Sequence, residues 1–313
     1  MIIHPVNMEN NPNAGRVILS GASGMIGSAL RDRFALRQTP TLQLVRRTPA
    51  GRDQLLWDPA KSSAVSANER LEGCVAAIHL AGANLSDRRW TARYRQEIWA
   101  SRVDSTRALA ATLAELRQPP ASLLLASAIG FYGSRGDEEL TENSAAGSGF
   151  LADLCREWEN AAEPAIKAGI RVVHLRTGVV LGRGHGALER MLPVFRMGLG
   201  GRLGNGRQWM SWISLTDAVN AILLAMENPS ISGPLNLTAP NPVTNAEFTR
   251  ALGRELHRPS FFSVPAFALR LALGQIADEA LLASARVYPA KLQAAHFTFD
   301  HPAVGEALSA ASS

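Results

Sequence analysis

The chain has 313 residues, 46% of them apolar and 19% charged, with a formal net charge of +5; this balance excludes a disordered or fibrous chain and is enough to bury a full core. Its basic residues are scattered among acids with few aromatics between them, which argues against a nucleic-acid partner. The two cysteines, Cys74 and Cys155, lie far apart, which excludes a disulfide framework and a metal cluster and fits a reducing, cytoplasmic setting.

Residues 1–15 read as a polar lead-in, without the basic region and long apolar run of a signal peptide. The first organised stretch is Val17 to Gly27, VILSGASGMIG. An apolar run passes through small residues into the amphipathic pattern MIGSALRDRFAL, the strand, turn and helix that open a nucleotide-binding βαβ unit. Gly21, Gly24 and Gly27 let backbone approach a pyrophosphate and leave the helix N-terminus free for the anion. Their spacing departs from G-x-G-x-x-G, so an ordinary tight strand-to-helix turn is the alternative.

Thr41 to Val45 is predicted as the second strand and ends on Arg46 and Arg47. At this point of a dinucleotide fold an acid suits a ribose 2′-hydroxyl and an arginine a 2′-phosphate. The pair therefore favours NADP(H) over NAD, against a plain surface cap. Leu55 to Asp58 is a short predicted strand before the breaker Pro59. Val75 to Ala81 is an apolar run that predicts a strand buried on both faces, with Ala81 and Gly82 beside the cofactor and His79 as a core histidine.

A long helix is predicted from Thr91 to Leu116, ending before Pro119 and Pro120. Its apolar stripe is the candidate surface for a homodimer or is wholly intramolecular. Ser122 to Ala128 is the next buried strand and leads to Tyr132; Ser127 and Tyr132 fall where ligands bind in a doubly wound sheet. A helix follows Gly149 through FLADLCREWENAAEPAIKAG, then a strand over Arg171 to Leu175. Alternating strands and helices predict an α/β fold with a Rossmann-like, doubly wound parallel sheet.

From His185 the texture changes. Gly198 to Gly206 reads as a glycine-dense connection over the cleft, WMSWIS as one short strand, and LTDAVNAILLAMEN as a helix returning to the sheet. GPLNLTAPNPVT reads as a strand and a loop, Thr244 as a helix cap, and the tail from Arg258 as a smaller helical lobe. The segment Phe261 to Leu273 holds Pro265 and Arg270 and is too short to span a membrane. The expected organisation is a Rossmann domain at 16–184, to which 214–237 returns, and a smaller C-terminal substrate lobe from 185–213 and 238–313.

SGASGMIG, HLAGANL and SAIGFYG, in that order, resemble the extended branch of the short-chain dehydrogenase/reductase superfamily. FLADLCREWE, LRTGVVLG, GLGGRLGNGRQWMSWI, LNLTAPNPVTN and HRPSFFSVPA resemble more closely its atypical epimerase-like family, from about Arg16 to Leu308. The resemblance implies NADP(H) as cofactor, with Gly21, Ser23, Gly24, Met25, Ile26 and Gly27 at the pyrophosphate, Arg46 and Arg47 at the 2′-phosphate, Ala81 and Gly82 at the adenine side, and Thr177 to Val179 beside the nicotinamide. It implies a small substrate of the sugar- or nucleotide-linked kind, touched by Arg202, Gln208, Trp209 and Trp212; tryptophans filling a seam are the alternative.

Catalysis transfers poorly. Enzymes resembling this one carry a serine or threonine four residues before the tyrosine of their YG pair, and a later Y-x-x-x-K on a helix. Here Ala128 stands at the first position, and Phe150 and Leu154 stand at the tyrosine and lysine. Hydride exchange at a carbon bearing oxygen needs a group that moves the hydroxyl proton, and phenylalanine has none. The candidates are Tyr132 as proton donor, Ser127 as a hydrogen-bond partner of a substrate oxygen and Asp153 as a base, with Glu157 and Glu159 on the same helix; core or loop packing for Tyr132, and a solvated face for Asp153 and Glu157, are the alternatives. Two functions follow: an NADP(H)-dependent oxidoreductase or epimerase with a non-standard site, or a protein that senses NADP(H) without turnover.

Overall fold

The computed structural model describes residues 15–59, 69–184 and 186–312; the lead-in before Gly15 and His185 lie outside them. Strand β1 (Val17–Ser20) is buried along its length. Its side chains alternate between two cores: Val17 and Leu19 enter one, Ile18 the other, as the period of a strand requires. Helix α1 (Met25–Leu36) turns Gly27, Leu30 and Phe34 inward, and each of the two larger side chains contributes about 1.5–3 kcal/mol by burial. β2 (Thr41–Val45) falls where its pattern predicts. β3 spans Gln54–Leu56, so Trp57 and Asp58 lie past its end rather than within the predicted strand. β4 (Ala76–His79) is shorter than its apolar run: Val75 before it is exposed, and Leu80 and Ala81 lie past its end.

The helix predicted from Thr91 to Leu116 is interrupted. α2 (Ala92–Trp99), capped by Thr91 Oγ1 accepting from the Tyr94 amide at 3.2 Å, passes through a π turn at Ala100–Asp104 into α3 (Ser105–Ala114). The wider turn shifts the helical phase and carries Arg102 inward, where Nη2 donates to the Ala83 carbonyl at 2.9 Å and the guanidinium lies 5.2 Å from the Trp158 ring.

β5 (Ser122–Ala128), the two-residue β6 (Glu139–Leu140) and α4 (Phe150–Asn160) follow. The predicted helix after Gly149 breaks at Ala161 and Ala162, and resumes as α5 (Glu163–Lys167). β7 (Arg171–Thr177) is followed by β8 (Val179–Leu181) and α6 (Gly186–Arg196). The glycine-dense stretch is not all loop: β9 (Gly201–Leu203) pairs in parallel with β14 (Phe262–Val264). WMSWIS is two strands in different sheets, β10 (Trp209–Met210) and β11 (Trp212–Ser214), separated by Ser211, whose carbonyl accepts from the Val179 amide and whose hydroxyl donates to the Ala285 carbonyl. α7 (Leu215–Glu227) packs on α1, and β12 (Gly233–Leu237) joins the main sheet. β13 (Val243–Thr244) leads into α8 (Asn245–Glu255), which Thr244 and Glu247 close in a capping box. α9 (Ala266–Leu273), β15 (Arg286–Val287), α10 (Ala290–Ala294) and α11 (Val304–Ser312) complete the chain.

The seven-stranded sheet runs β12-β7-β5-β4-β1-β2-β3 with every pairing parallel. The order reverses between β1 and β4, the switch point at which such sheets open a crevice at their carboxyl edge. Asp217, fully buried at the start of α7, accepts from the Ser214 hydroxyl and from the amides of Asp300 and His301, tying the C-terminal segment to that edge.

His79 is a core histidine. It is fully buried, with Nδ1 on Ser20 Oγ and Nε2 3.2 Å from Ser105 Oγ, and the Trp57 ring meets it edge-on. Burial lowers its pKa to about 4, whereas in an unfolded chain it titrates at about 6.5. Stability is therefore intact above the unfolded value and declines as pH falls from there towards the folded one, because only the unfolded chain takes up the proton. We expect a loss of up to about 3 kcal/mol across that window, read as a falling urea midpoint, and His79→Asn should flatten that part of the profile.

Candidate functional site

The first turn of the fold is shaped by backbone packing. Gly21 has φ +72°, and a Cβ there would lie 2.7 Å from the Leu80 carbonyl carbon. At Gly27 a Cβ would overlap the Gly21 carbonyl oxygen and stand 2.8 Å from its carbon, so α1 can approach β1 only through hydrogen at this position. Gly24 differs: a Cβ would reach the Gly21 oxygen at 3.4 Å, an ordinary contact. Gly24 is also the N-cap of α1, with no side-chain cap and no acid in the first turn. The helix thus presents its first amides and the positive end of its dipole with no side chain of its own to satisfy them.

Around this turn Ser23 and Gly24 are exposed, and Met25 and Ile26 half-buried. Arg46 and Arg47 are exposed just past β2, one strand from the glycines, since β2 pairs directly with β1. Ala81 and Gly82 follow β4 on the other side of β1. Gly82 faces Arg102, and a Cβ there would lie 3.3 Å from the guanidinium carbon.

A cavity of about 470 Å³ opens at the carboxyl ends of β5 and β7. Ile129, Gly130, Thr177, Gly178 and Val179 line it from the sheet side, and Met191, Leu203, Trp209 and Phe248 from the segments that cover the edge. Of the residues expected at cofactor or substrate, Thr177, Val179 and Trp209 are in this wall. Arg202 is exposed on β9. Gln208 is buried, and its amide donates to the carbonyls of Leu203 and Leu281, both at 3.1 Å. Trp212 is fully buried in the core of α6, α8 and α11, with its indole donating to the Asn241 carbonyl.

Tyr132, Ser127 and Asp153 are not brought together in this wall. Tyr132 is fully buried; its hydroxyl donates to Asn236 Oδ1 at 2.7 Å and accepts from Arg176 Nη1 at 3.0 Å. Burial raises its pKa, and Arg176 pulls the other way. Ser127 donates to Glu159 Oε1 at 2.8 Å. Asp153 lies on the outer face of α4, bonded to Arg156 at 2.6 Å, because Leu151, Ala152, Leu154, Cys155 and Trp158 occupy the inner face. Glu159 serves Arg176 through two contacts of 2.8 Å. For the Arg176 guanidinium, burial alone would lower the pKa, but the bonds and charge of Glu159 outweigh it and the pKa is raised.

Two features went unread in the sequence. Glu279 reaches the N-terminus of α4, accepting from the amides of Phe150 at 2.9 Å and Leu151 at 3.0 Å. Ser134, in the cavity wall, accepts from the Ser284 amide and keeps its hydroxyl proton for another partner. An acid in the first turn of a helix can be read from sequence; one delivered from 129 residues away cannot. Both cysteines are buried and free, and burial pushes Cys74 up to about 11 and Cys155 to about 12, so neither is poised as a thiolate. Among the described residues no cluster of potential metal ligands occurs, and no helix is long and apolar enough to cross a membrane.

A parallel sheet with a bare glycine turn after its first strand, and a covered cavity at its carboxyl edge, defines the extended short-chain dehydrogenase/reductase architecture. The chain belongs to the NAD dependent epimerase/dehydratase family, whose profile matches residues 17–237; residues 264–311 match a domain of unknown function, DUF1731. An epimerase family protein of Mycobacterium leprae is 48% identical over 293 residues, 94% of each chain. The crystal structure of human epimerase family protein SDR39U1 with NADPH superposes with a TM-score of 0.87 at 32% identity, over 95% of this chain and 99% of that one. A nucleoside-diphosphate sugar epimerase from Corynebacterium glutamicum gives 0.78 at 36% identity, over 95% of this chain and 58% of that longer one. The resemblance read from the sequence motifs therefore holds.

Proposed function

We propose that the chain binds NADP(H) and acts as an oxidoreductase or epimerase-like enzyme on a small molecule held in the cavity. The observation that carries this is the uncapped, acid-free N-terminus of α1 beside the Arg46 and Arg47 pair. The residues fit the cofactor. Gly24 brings no side chain between a diphosphate and the first amides of α1, and the arginines offer two planar cations to a 2′-phosphate. The human relative crystallised with NADPH supports the same assignment. NADPH supplies a hydride when bound. Thr177, Gly178 and Val179 shape the cavity floor, and Ser134 in its wall offers a neutral hydrogen-bond donor.

A second reading is that of an NADP(H) sensor without turnover. It is favoured by the apolar filling of the expected proton-relay positions: Phe150 stacks edge-on against Trp90 at 5.2 Å, and Leu154 is buried. Stopped-flow absorbance with NADPH and a panel of carbonyl compounds separates the two, since oxidation by any of them at an enzymatic rate rejects the sensor. For the cofactor itself, Arg46→Ala/Arg47→Ala is expected to weaken NADPH by about tenfold or more and to leave NADH nearly unchanged, as measured by calorimetry. Equal losses for both cofactors would remove the 2′-phosphate assignment.

A further inference from the structure

Resting on that reading of the cavity as the substrate site, we propose that it takes an uncharged, largely apolar carbonyl compound and rejects nucleotide sugars. Three observations point to this substrate class. First, among the described residues lining the cavity there is no lysine, arginine or histidine, while two carboxylates, Asp278 and Glu279, stand in the wall. Asp278 is matched from outside by Arg270, whose Nε is 2.9 Å away. Second, the amides that would serve an anion at the N-terminus of α4 are already taken by Glu279. The close fit of Glu279 against Gly149, where a Cβ would lie 3.0 Å from either carboxylate oxygen, leaves no room for a second anion. Third, Leu203, Met191 and Phe248 make up much of the covering side, and Trp209 adds a flat face. That indole is fixed by a 2.7 Å bond to Asp137 and by the Arg286 guanidinium 4.4 Å from its ring.

A diphosphate brought into this space would lose its hydration without gaining a cation, and would face fixed negative charge. An apolar body gains instead, because a concave apolar wall with a few polar groups is the usual form of a small-molecule site. The Ser134 hydroxyl, which accepts from the Ser284 amide and keeps its proton, is suited to a carbonyl oxygen.

The test uses a pair of probes matched in shape, 1-naphthaldehyde and 1-naphthoate, together with naphthalene and UDP-glucose. Each is titrated calorimetrically into the full-length protein with and without NADPH. The aldehyde is expected to bind at least about tenfold tighter than the carboxylate, and UDP-glucose to bind more weakly than either. Met191→Gln should weaken the aldehyde about fivefold, with circular dichroism and the urea midpoint as controls for folding. Ser134→Ala provides a second variant that keeps the apolar wall and should reduce aldehyde affinity more than that of naphthalene. Equal or tighter binding of naphthoate, UDP-glucose binding tighter than the aldehyde, or an aldehyde affinity indifferent to Met191→Gln would each overturn the proposal. Should NADPH fail to bind while the probe order stays as expected, the cofactor assignment falls and the substrate class stands.

Discussion

Replacing Glu159 by leucine is expected to cost about 3–5 kcal/mol of stability, the largest loss foreseen for any single polar side chain in this fold. The reason lies in what the change leaves behind. Arg176 is at the end of β7 with its side chain 5% exposed, and both oxygens of Glu159 bond it at 2.8 Å. Its third nitrogen donates to Tyr132, whose hydroxyl passes on to Asn236 in β12, and its face lies 3.4 Å from the Phe131 ring. Ser127 at the end of β5 donates to the same carboxylate. One ion pair thus joins β5, α4, β7 and β12 through the residue that precedes Thr177 of the cavity wall.

Without the carboxylate the guanidinium stays buried and unpaired, which costs far more than a lost surface bridge. Glu159→Gln keeps an acceptor but not the charge and should recover only part of the loss. Removing both partners in Glu159→Leu/Arg176→Met should be milder than either single change, because no charge is left stranded. Urea unfolding of the four proteins reads this as a double-mutant cycle. A single variant within about 1 kcal/mol of the parent would mean that water reaches Arg176 and the network is not a strut.

How much of this was legible in the sequence depends on the range of the interactions. The strands at Val17, Thr41 and Ser122 are apolar runs whose burial is decided locally, and they fall within a residue or so of their patterns. The glycine turn was legible for the same reason, since strand, small residues and helix are contiguous. The motif places Tyr132 either at the mouth of a crevice or in packing, and packing prevails: its hydroxyl partner Asn236 is 104 residues away and its ring is buried with Leu140, Ala285 and Val287. Nothing in SAIGFYG signals that. Trp212 and Trp209 look alike in WMSWIS, but they pair into different sheets on either side of Ser211, one indole in a core and the other in the cavity wall. Periodicity alone runs the helix from Thr91 to Leu116 in one piece, since it does not register a single π turn that re-aims Arg102.

Gly27→Ala is the second change expected to have a large effect, and Gly24→Ala separates its two causes. The added methyl of Gly27→Ala would overlap the Gly21 carbonyl oxygen and press on Ala22 Cα at 3.0 Å, backbone against backbone, with no flexible side chain to yield. α1 would have to move off β1, carrying Leu30 and Phe34 with it. The expected loss is about 1–3 kcal/mol from overpacking, with NADPH uptake lost as the first amides of α1 shift. Gly24→Ala places its methyl at an ordinary 3.4 Å from the same oxygen and has φ −77°, which any residue adopts. Its stability, read from the unfolding midpoint, should fall by no more than about 1 kcal/mol, the usual cost of alanine at an N-cap, so a loss of NADPH affinity in a protein that stays folded comes from a ligand lying against Cα. Calorimetry on both variants, with urea midpoints beside it, gives the answer. Undiminished NADPH binding by Gly24→Ala would move the diphosphate away from the head of α1, and the case for the glycine turn as its seat would go with it.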